Sequence, residues 1–213
     1  MAEQSKTLTS REGPAPSAEA APHAGLAPRT GLVTVSALGG HDETVNGVRI
    51  RERVGLGIVS AAIPLGGADA FAAALNDGYG FDVPAVGRSF GDGATRAAMV
   101  QPGQLWLLYT DGAERALQAA RDVFLEKAWL VDQSDAWAAL QLSGDGDALR
   151  RTLERICMLD LTTFEDGAVT RTLMEHLGVV LLREGADYTL MSARSSAPSL
   201  LHAITLSARV ANA

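Results

Sequence analysis

Four histidines, one cysteine and a few neighbouring carboxylates are the side chains of this chain that could move protons, attack an electrophile or hold a metal. His23, His41, His176 and His202 are too scattered to make a metal-ligand pair, and Cys157 has no cysteine neighbour. Leu149, Leu153, Ile156 and Cys157 recur at i, i+4, i+7 and i+8, so the thiol lies on an apolar helix stripe, where a buried cysteine is inert. The carboxylate pairs Asp145/Asp147, Glu165/Asp166 and Asp42/Glu43 fall in turns. None sits in an apolar strand, where burial would raise a pKa into the range useful for acid–base work. The residues therefore present no catalytic set, no cofactor-binding set and no metal set on this chain.

Three loops could in principle hold an anion. "RVGLGIVSA" at 53–61 carries Gly55 and Gly57, but Ser60 stands third, and the glycines open a strand instead of leading into a helix. A dinucleotide loop needs strand, glycine turn and helix in that order, so that backbone N–H groups meet the pyrophosphate. "GRSFGDGATR" at 87–96 lacks the lysine of a phosphate cradle and reads as a surface turn. In "SARSSAP" at 192–198, Ser195 or Ser196 can cap a helix beginning near Pro198, and Arg194 beside that start could hold an anion. Trp106, Trp129 and Trp137 lie in or beside apolar strands and read as core, or, where exposed, as protein contacts.

The elements that would position these residues belong to an ordinary packed protein, with 47 % hydrophobic residues. The net charge of −7 argues against nucleic acid or an anionic membrane surface as partner. No apolar run approaches the roughly 18–20 residues of a membrane-spanning helix, and "MAEQSKTLTSREGPAPS" has no apolar core of a secretory signal. A single cysteine makes no internal disulfide, which suits a reducing cytoplasm.

Residues 1–30 are rich in Ala, Pro, Ser and Glu and are expected to form a flexible tail or an arm that orders against a partner. From 31 to 213 the composition is that of one globular α+β domain. Within it a pattern occurs twice, over about 50–126 and 127–210. "GLGIVSAAIPLGGADAFAAALNDG" and "DAWAALQLSGDGDALRRTLERICM" each read as strand, glycine, helix. "TRAAMVQPGQLWLLYTDGAERALQAARDVF" and "TRTLMEHLGVVLLREGADYTLMSARSSAPSLLHAI" each continue as strand, turn, strand, helix. Thr95–Arg96 and Thr170–Arg171 open them, and Trp106 and Tyr188 stand in their last strands. Two ferredoxin-like βαββα halves packed as one body are expected.

Over about residues 130–205 the chain resembles the gamma subunits of bacterial heterotetrameric sarcosine oxidases. "DQSDAW", "LERIC-LDL", "RTLMEHLGVVLLRE" and "LMSARSSA…LLHAI" carry the resemblance, with "PGQLWLL" as an outlying match. The same region is more distantly similar to the folate-binding domain of the glycine-cleavage T-protein and of dimethylglycine dehydrogenase. Asp132 and Ser134 match the Asp-x-Ser strand start of those proteins, Gly144 the end of the next strand, and Asp160 the residue after the helix. Their closing Gly-Gly-x-x-Asp-Asp strand departs: the glycine pair becomes Leu177–Gly178, and the two aspartates become Leu181 and Leu182. Nor does the chain carry the Lys-Gly-Cys-Tyr-x-Gly-Gln-Glu motif of the folate-binding iron–sulfur-repair relatives.

The resemblance implies a non-catalytic subunit of an oxidase that demethylates sarcosine to glycine, makes hydrogen peroxide and passes the one-carbon unit to tetrahydrofolate. It implies alpha, beta and delta subunits as partners, with FAD, FMN, NAD and zinc on those chains and none on this one. In the folate-binding relatives an aspartate of that closing strand serves the folate chemistry; leucine cannot accept a proton, so Leu181 and Leu182 imply a wall. A stand-alone folate-dependent aminomethyl-transfer enzyme, and a binding module for a small anion near Arg194, are the other two readings.

Overall fold

The computed structural model describes residues 35–213; the tail or arm expected over 1–30 lies outside the described residues. The strands are β1 Asp42–Val45, β2 Val48–Glu52, β3 Gly57–Ala62, β4 Ser89–Gly91, β5 Thr95–Gln101, β6 Gln104–Tyr109, β7 Trp129–Asp132, β8 Trp137–Gly144, β9 Val169–Met174, β10 Leu177–Glu184 and β11 Asp187–Ala193. The helices are α1 Ala68–Tyr79, α2 Ala113–Phe124, α3 Gly146–Glu154 and α4 Ala197–Ala211.

All the strand pairings are antiparallel, in two sheets. One runs β4-β5-β6-β3-β7 and the other β1-β2-β8-β11-β10-β9. Phe71, Ala74 and Leu75 of α1, with Ala116, Ala120 and Phe124 of α2, cover the outer face of the five-stranded sheet. Leu149 and Leu153 of α3, with Leu200, Ile204 and Ala208 of α4, cover the outer face of the six-stranded one. The inner faces meet through Leu56, Ile58, Ala98, Trp106 and Leu108 on one side and Ala139, Val169, Val180, Leu182 and Met191 on the other. The result is helix, sheet, sheet, helix: an α+β body of two ferredoxin-like halves, each burying one helix pair.

The halves are not equal copies. In the first, β3-α1-β5-β6-α2-β7 gives the ferredoxin-like sheet order β5-β6-β3-β7. In the second, β8-α3-β10-β11-α4 has the same order, but β2 from the start of the described chain fills the fourth place. The seam in the chain falls after Asp132 and not at 126, because β7 pairs with β3. The second continuation holds three strands, β9, β10 and β11, where the sequence pattern suggests two. Thr95–Arg96 opens β5, whereas Thr170–Arg171 lies in β9, whose place in the sheet corresponds to β4, so the two dipeptides are not equivalent.

Local chemistry sets the turns and caps. Asn46 and Gly47 join β1 to β2 with positive φ at both, as a tight type I′ hairpin turn requires. Glu175 and His176 do the same between β9 and β10 without a glycine. Asp145 caps α3 by accepting the Ala148 N–H at 2.8 Å. Neither serine expected to cap α4 does so: Arg194–Ser196 form a 3-10 turn that feeds the helix, and Ser196 makes no side-chain cap bond.

Gly144 is fixed by close approach. Its φ is +130°, and a Cβ there would stand 2.2 Å from the Gly47 carbonyl oxygen of the facing hairpin. Glu52, at the end of β2, is buried and gathers residues 36–40 around its carboxylate. Ser36 Oγ donates to it, as do the backbone N–H groups of Ala37 at 2.7 Å, Leu38 at 3.1 Å and Gly40 at 2.8 Å. Burial by itself would raise this carboxyl, but the four donors outweigh it and hold it below the ordinary glutamate value.

Gly144→Ala is therefore expected to destabilise the fold by more than about 2 kcal/mol, because strain and clash act together. Gly178→Ala, with no atom within 4 Å of its Cβ position, is expected to stay within about 0.5 kcal/mol of the parent. Denaturant unfolding of both variants checks this.

Glu52→Gln is expected to cost about 1–3 kcal/mol near pH 7 by weakening charge-assisted bonds. The folded pKa lies below the unfolded value near 4.5. The wild-type advantage is thus complete above that pH and fades as pH falls through the folded value. Unfolding free energies of the two proteins from pH 3 to 7 measure it; a gap that widens toward acid contradicts the assignment.

Candidate functional site

Leu181 and Leu182 are both fully buried, on opposite faces of β10. Leu181 pairs across the sheet with Leu190 and Thr170 and faces α3 and α4. Leu182 pairs with Thr189 and Val169 and packs in the layer between the sheets. Neither position has room for a carboxylate and the ligand it would serve: around these two leucines the strand is enclosed by neighbouring strands, helices and the opposing sheet. A folate chemistry that depends on an aspartate at this place does not fit these residues.

The other positions shared with the folate-binding pattern act as structural clamps. Asp132 Oδ1 accepts the Ser134 N–H at 2.9 Å and the Ser134 hydroxyl at 2.7 Å. Ser134 Oγ in turn accepts the Ile58 N–H at 3.0 Å, tying the loop before β8 to β3. Asp160 turns the chain after α3, accepting the Thr162 hydroxyl at 2.5 Å and the Thr162 N–H at 2.9 Å. These two donors hold its carboxyl below the usual aspartate range.

Arg194 does not present a free guanidinium. It donates to the Val35 carbonyl, at the rim of a small cavity of about 20 Å³ that also touches Glu52, Ser134 and Trp137. That space suffices for a single water and not for an organic anion. Cys157 is buried with Sγ 3.8 Å from Thr172 Oγ1, away from any second thiol. His176 stands at the β9–β10 turn and His202 on α4; His41 is near Glu43, at 3.8 Å. Among the described residues no three His, Cys, Asp or Glu side chains gather as a metal set would require.

Three polar groupings escape a reading by motif, because their members come from elements distant in the chain. Arg53 and Arg96 both meet Glu184, at 2.9 Å and 3.3 Å, and Thr189 donates to the same carboxylate at 2.6 Å. This ties the β2 end and β5 to β10 and β11 at the rim of the inner layer. Tyr79 and Tyr109 share a hydrogen bond of 2.5 Å between their hydroxyls on the helix side of the five-stranded sheet. Burial raises both phenols above their ordinary value, so they stay neutral and serve as a buried polar clasp.

The third grouping is a cleft. Trp106 and Trp137 meet edge to face with centroids 4.9 Å apart. The Arg171 guanidinium lies 5.1 Å over the first indole and 5.9 Å over the second. Beside them Leu173, Gly178 and Val180 line an open space of about 370 Å³. Trp106 is core, as its strand pattern suggests, Trp137 is half-buried, and Trp129 is 73 % exposed on the edge strand β7. Arg171 is legible in sequence only as a charge in the alternating strand "VTRTLM".

No protein-family model matches the chain, and no curated protein matches it in sequence. Solved structures do share its fold. One chain of heterotetrameric sarcosine oxidase from Corynebacterium sp. U-96, in complex with pyrrole 2-carboxylate, superposes with a TM-score of 0.70 at 22 % identity, over 84 % of this chain and 96 % of that one. The glycine cleavage system aminomethyltransferase T from Bartonella henselae superposes with a TM-score of 0.53 at 12 % identity, over 76 % of this chain and 49 % of that one. The chain thus has the fold of an oxidase chain along almost that chain's whole length. It spans about half the length of the aminomethyltransferase.

Leu181→Asp and Leu182→Asp are each expected to destabilise by at least the about 2–5 kcal/mol of a leucine truncation, because burying an unpaired carboxylate adds to the lost packing. The deficit should shrink at low pH, where the introduced acid is protonated. Urea unfolding at pH 5 and pH 8 reads both effects; a variant as stable as the parent would show that the strand lines a cavity.

Proposed function

We propose that this chain is the gamma, accessory subunit of a four-chain sarcosine oxidase and contributes architecture, not chemistry. The observation that carries the reading is β10: a strand sealed on both faces by Leu181 and Leu182, in a chain whose fold matches an oxidase chain over 96 % of that chain. The proposed assembly oxidises the N-methyl group of sarcosine, reduces oxygen to hydrogen peroxide, releases glycine and delivers the one-carbon unit to tetrahydrofolate. FAD, FMN, NAD and zinc belong, on this proposal, to the alpha, beta and delta subunits.

What this chain's residues supply follows from their packing. The folate-binding relatives need a carboxylate that can pair with a cationic amine or take its proton. Leu181 and Leu182 can do neither, and the clamps Asp132–Ser134 and Asp160–Thr162 are spent on backbone N–H groups. The net charge of −7, and helices none of which among the described residues is long and apolar enough to cross a membrane, suit a protein partner in the cytoplasm. The alternative, a stand-alone aminomethyl-transfer enzyme, needs a carboxylate in β10 that Leu181 and Leu182 do not supply.

The expected outcome of co-expression is that this chain purifies with the alpha, beta and delta subunits as one flavin-coloured species. Purified alone it should show no flavin absorbance and no stoichiometric zinc. Gel filtration, absorbance near 450 nm and metal analysis check this; a chain that binds flavin alone, or that ignores the other three subunits, contradicts the proposal.

A further inference from the structure

The inner face of the six-stranded sheet is covered at its centre and bare at one end. Val180 and Leu182 lie in the inter-sheet layer, but the next positions on that face, Leu173 of β9 and Gly178 of β10, are exposed and pair with each other. Leu173 is 65 % exposed, and nothing lies within 4 Å of where a Gly178 Cβ would stand. Arg171, two residues before Leu173 on the same face of β9, closes this bare end against the two indoles.

Arg171 is also unmatched. No Asp or Glu among the described residues forms an ion pair with it, in a chain where acids outnumber bases. Stacking on Trp106 and Trp137 holds the planar guanidinium in place and leaves its N–H fork without a carboxylate. Trp106, nine-tenths buried, keeps its indole N–H without an acceptor. A positioned arginine beside aromatic and aliphatic surface is the usual make-up of an interface anchor.

We propose that this cleft seats a segment of another chain of the assembly, in which an aspartate or glutamate stands beside a large apolar side chain. The carboxylate pairs with Arg171, and the apolar group enters the space above Gly178, against Leu173, Val180 and Trp137. A free small acid is the poorer occupant. Small-ligand sites enclose about 70–90 % of the ligand, whereas here Arg171, Leu173 and Gly178 all stand open to solvent. The inference rests on the accessory-subunit reading and names the surface through which that reading is realised.

The test uses the full chain co-expressed with the alpha, beta and delta subunits, captured through a tag on the beta subunit. Arg171→Glu reverses the charge, Leu173→Asp removes the apolar lip, and Gly178→Phe, whose Cβ meets no atom within 4 Å, projects a ring into the space. Each is expected to fold alone with the parent's unfolding temperature and to lower recovery in the complex by about tenfold or more, the equivalent of one lost anchor. Arg171→Lys, which keeps the charge but not the fork, should fall between parent and Arg171→Glu. If the parent assembles and the well-folded variants assemble equally, the surface is wrong and the subunit reading stands. If the parent itself does not join the other chains, both are overturned. Saturable quenching of indole fluorescence by free phenylacetate, with assembly indifferent to the variants, would overturn the inference in favour of a small-acid site.

Discussion

The contact on which the rest of the structure depends is the layer where Val180 and Leu182 of β10 meet Ile58, Trp106 and Leu108 of the opposing sheet. Each half has one helix pair, which covers only one face of its sheet. The other face must be buried against its counterpart or left in water. Full burial of a large aliphatic or aromatic side chain contributes about 1.5–3 kcal/mol, so this layer, with Leu56, Ile58, Trp106, Leu108, Leu182 and Met191 in it, is a large share of what a fold of this size can set against chain entropy. The halves therefore stabilise each other, and β10, one strand in from the edge of its sheet, is buried on both faces at Val179–Leu182.

That constraint links stability to function. A strand that carries a working carboxylate must leave room for a ligand on one face and accept the loss of packing there. Here the same positions are leucines, one turned to the helices and one to the opposing sheet. On the proposed accessory-subunit reading, the leucines that take the place of a working carboxylate also complete the core. Several polar groups near the inner layer hold the architecture. Arg53, Arg96 and Glu184 fasten its rim, Ser134 anchors β3, and Glu52 organises the segment before β1.

How much of this is legible in the sequence depends on how local each signal is. Helix stripes such as Leu149–Leu153 and Phe71–Leu75 repeat within one element, and their helices are where the spacing puts them, but α3 ends at Glu154, so Ile156 and Cys157 of the same stripe lie beyond the helix, with Cys157 bridged to Met174 of β9. The unbroken run Leu-Gly-Val-Val-Leu-Leu announces a strand covered on both faces, which holds from Val179 to Leu182 and fails at Gly178, where the strand is exposed. The exchange of β2 for a last strand in the second half is invisible, because strand order is decided by packing between residues far apart in the chain. The pairing of Thr95–Arg96 with Thr170–Arg171 misleads for the same reason, as identical dipeptides fall on strands with different places in their sheets. Arg194 reads as an anion holder from its helix start alone; its actual partner, the Val35 carbonyl, is 159 residues away. The Arg171–Trp106–Trp137 cluster draws on β9, β6 and β8, and no spacing rule joins them.

Native-state hydrogen exchange at the Leu181 and Leu182 amides tests the sealed strand most directly. The account predicts that both exchange only through global unfolding, with an opening free energy equal to that from denaturant titration, and that added tetrahydrofolate changes neither rate. Opening of β10 at a much lower free energy, or extra protection of these two amides on adding tetrahydrofolate, would mean that a ligand pocket survives behind the leucines and would contradict it.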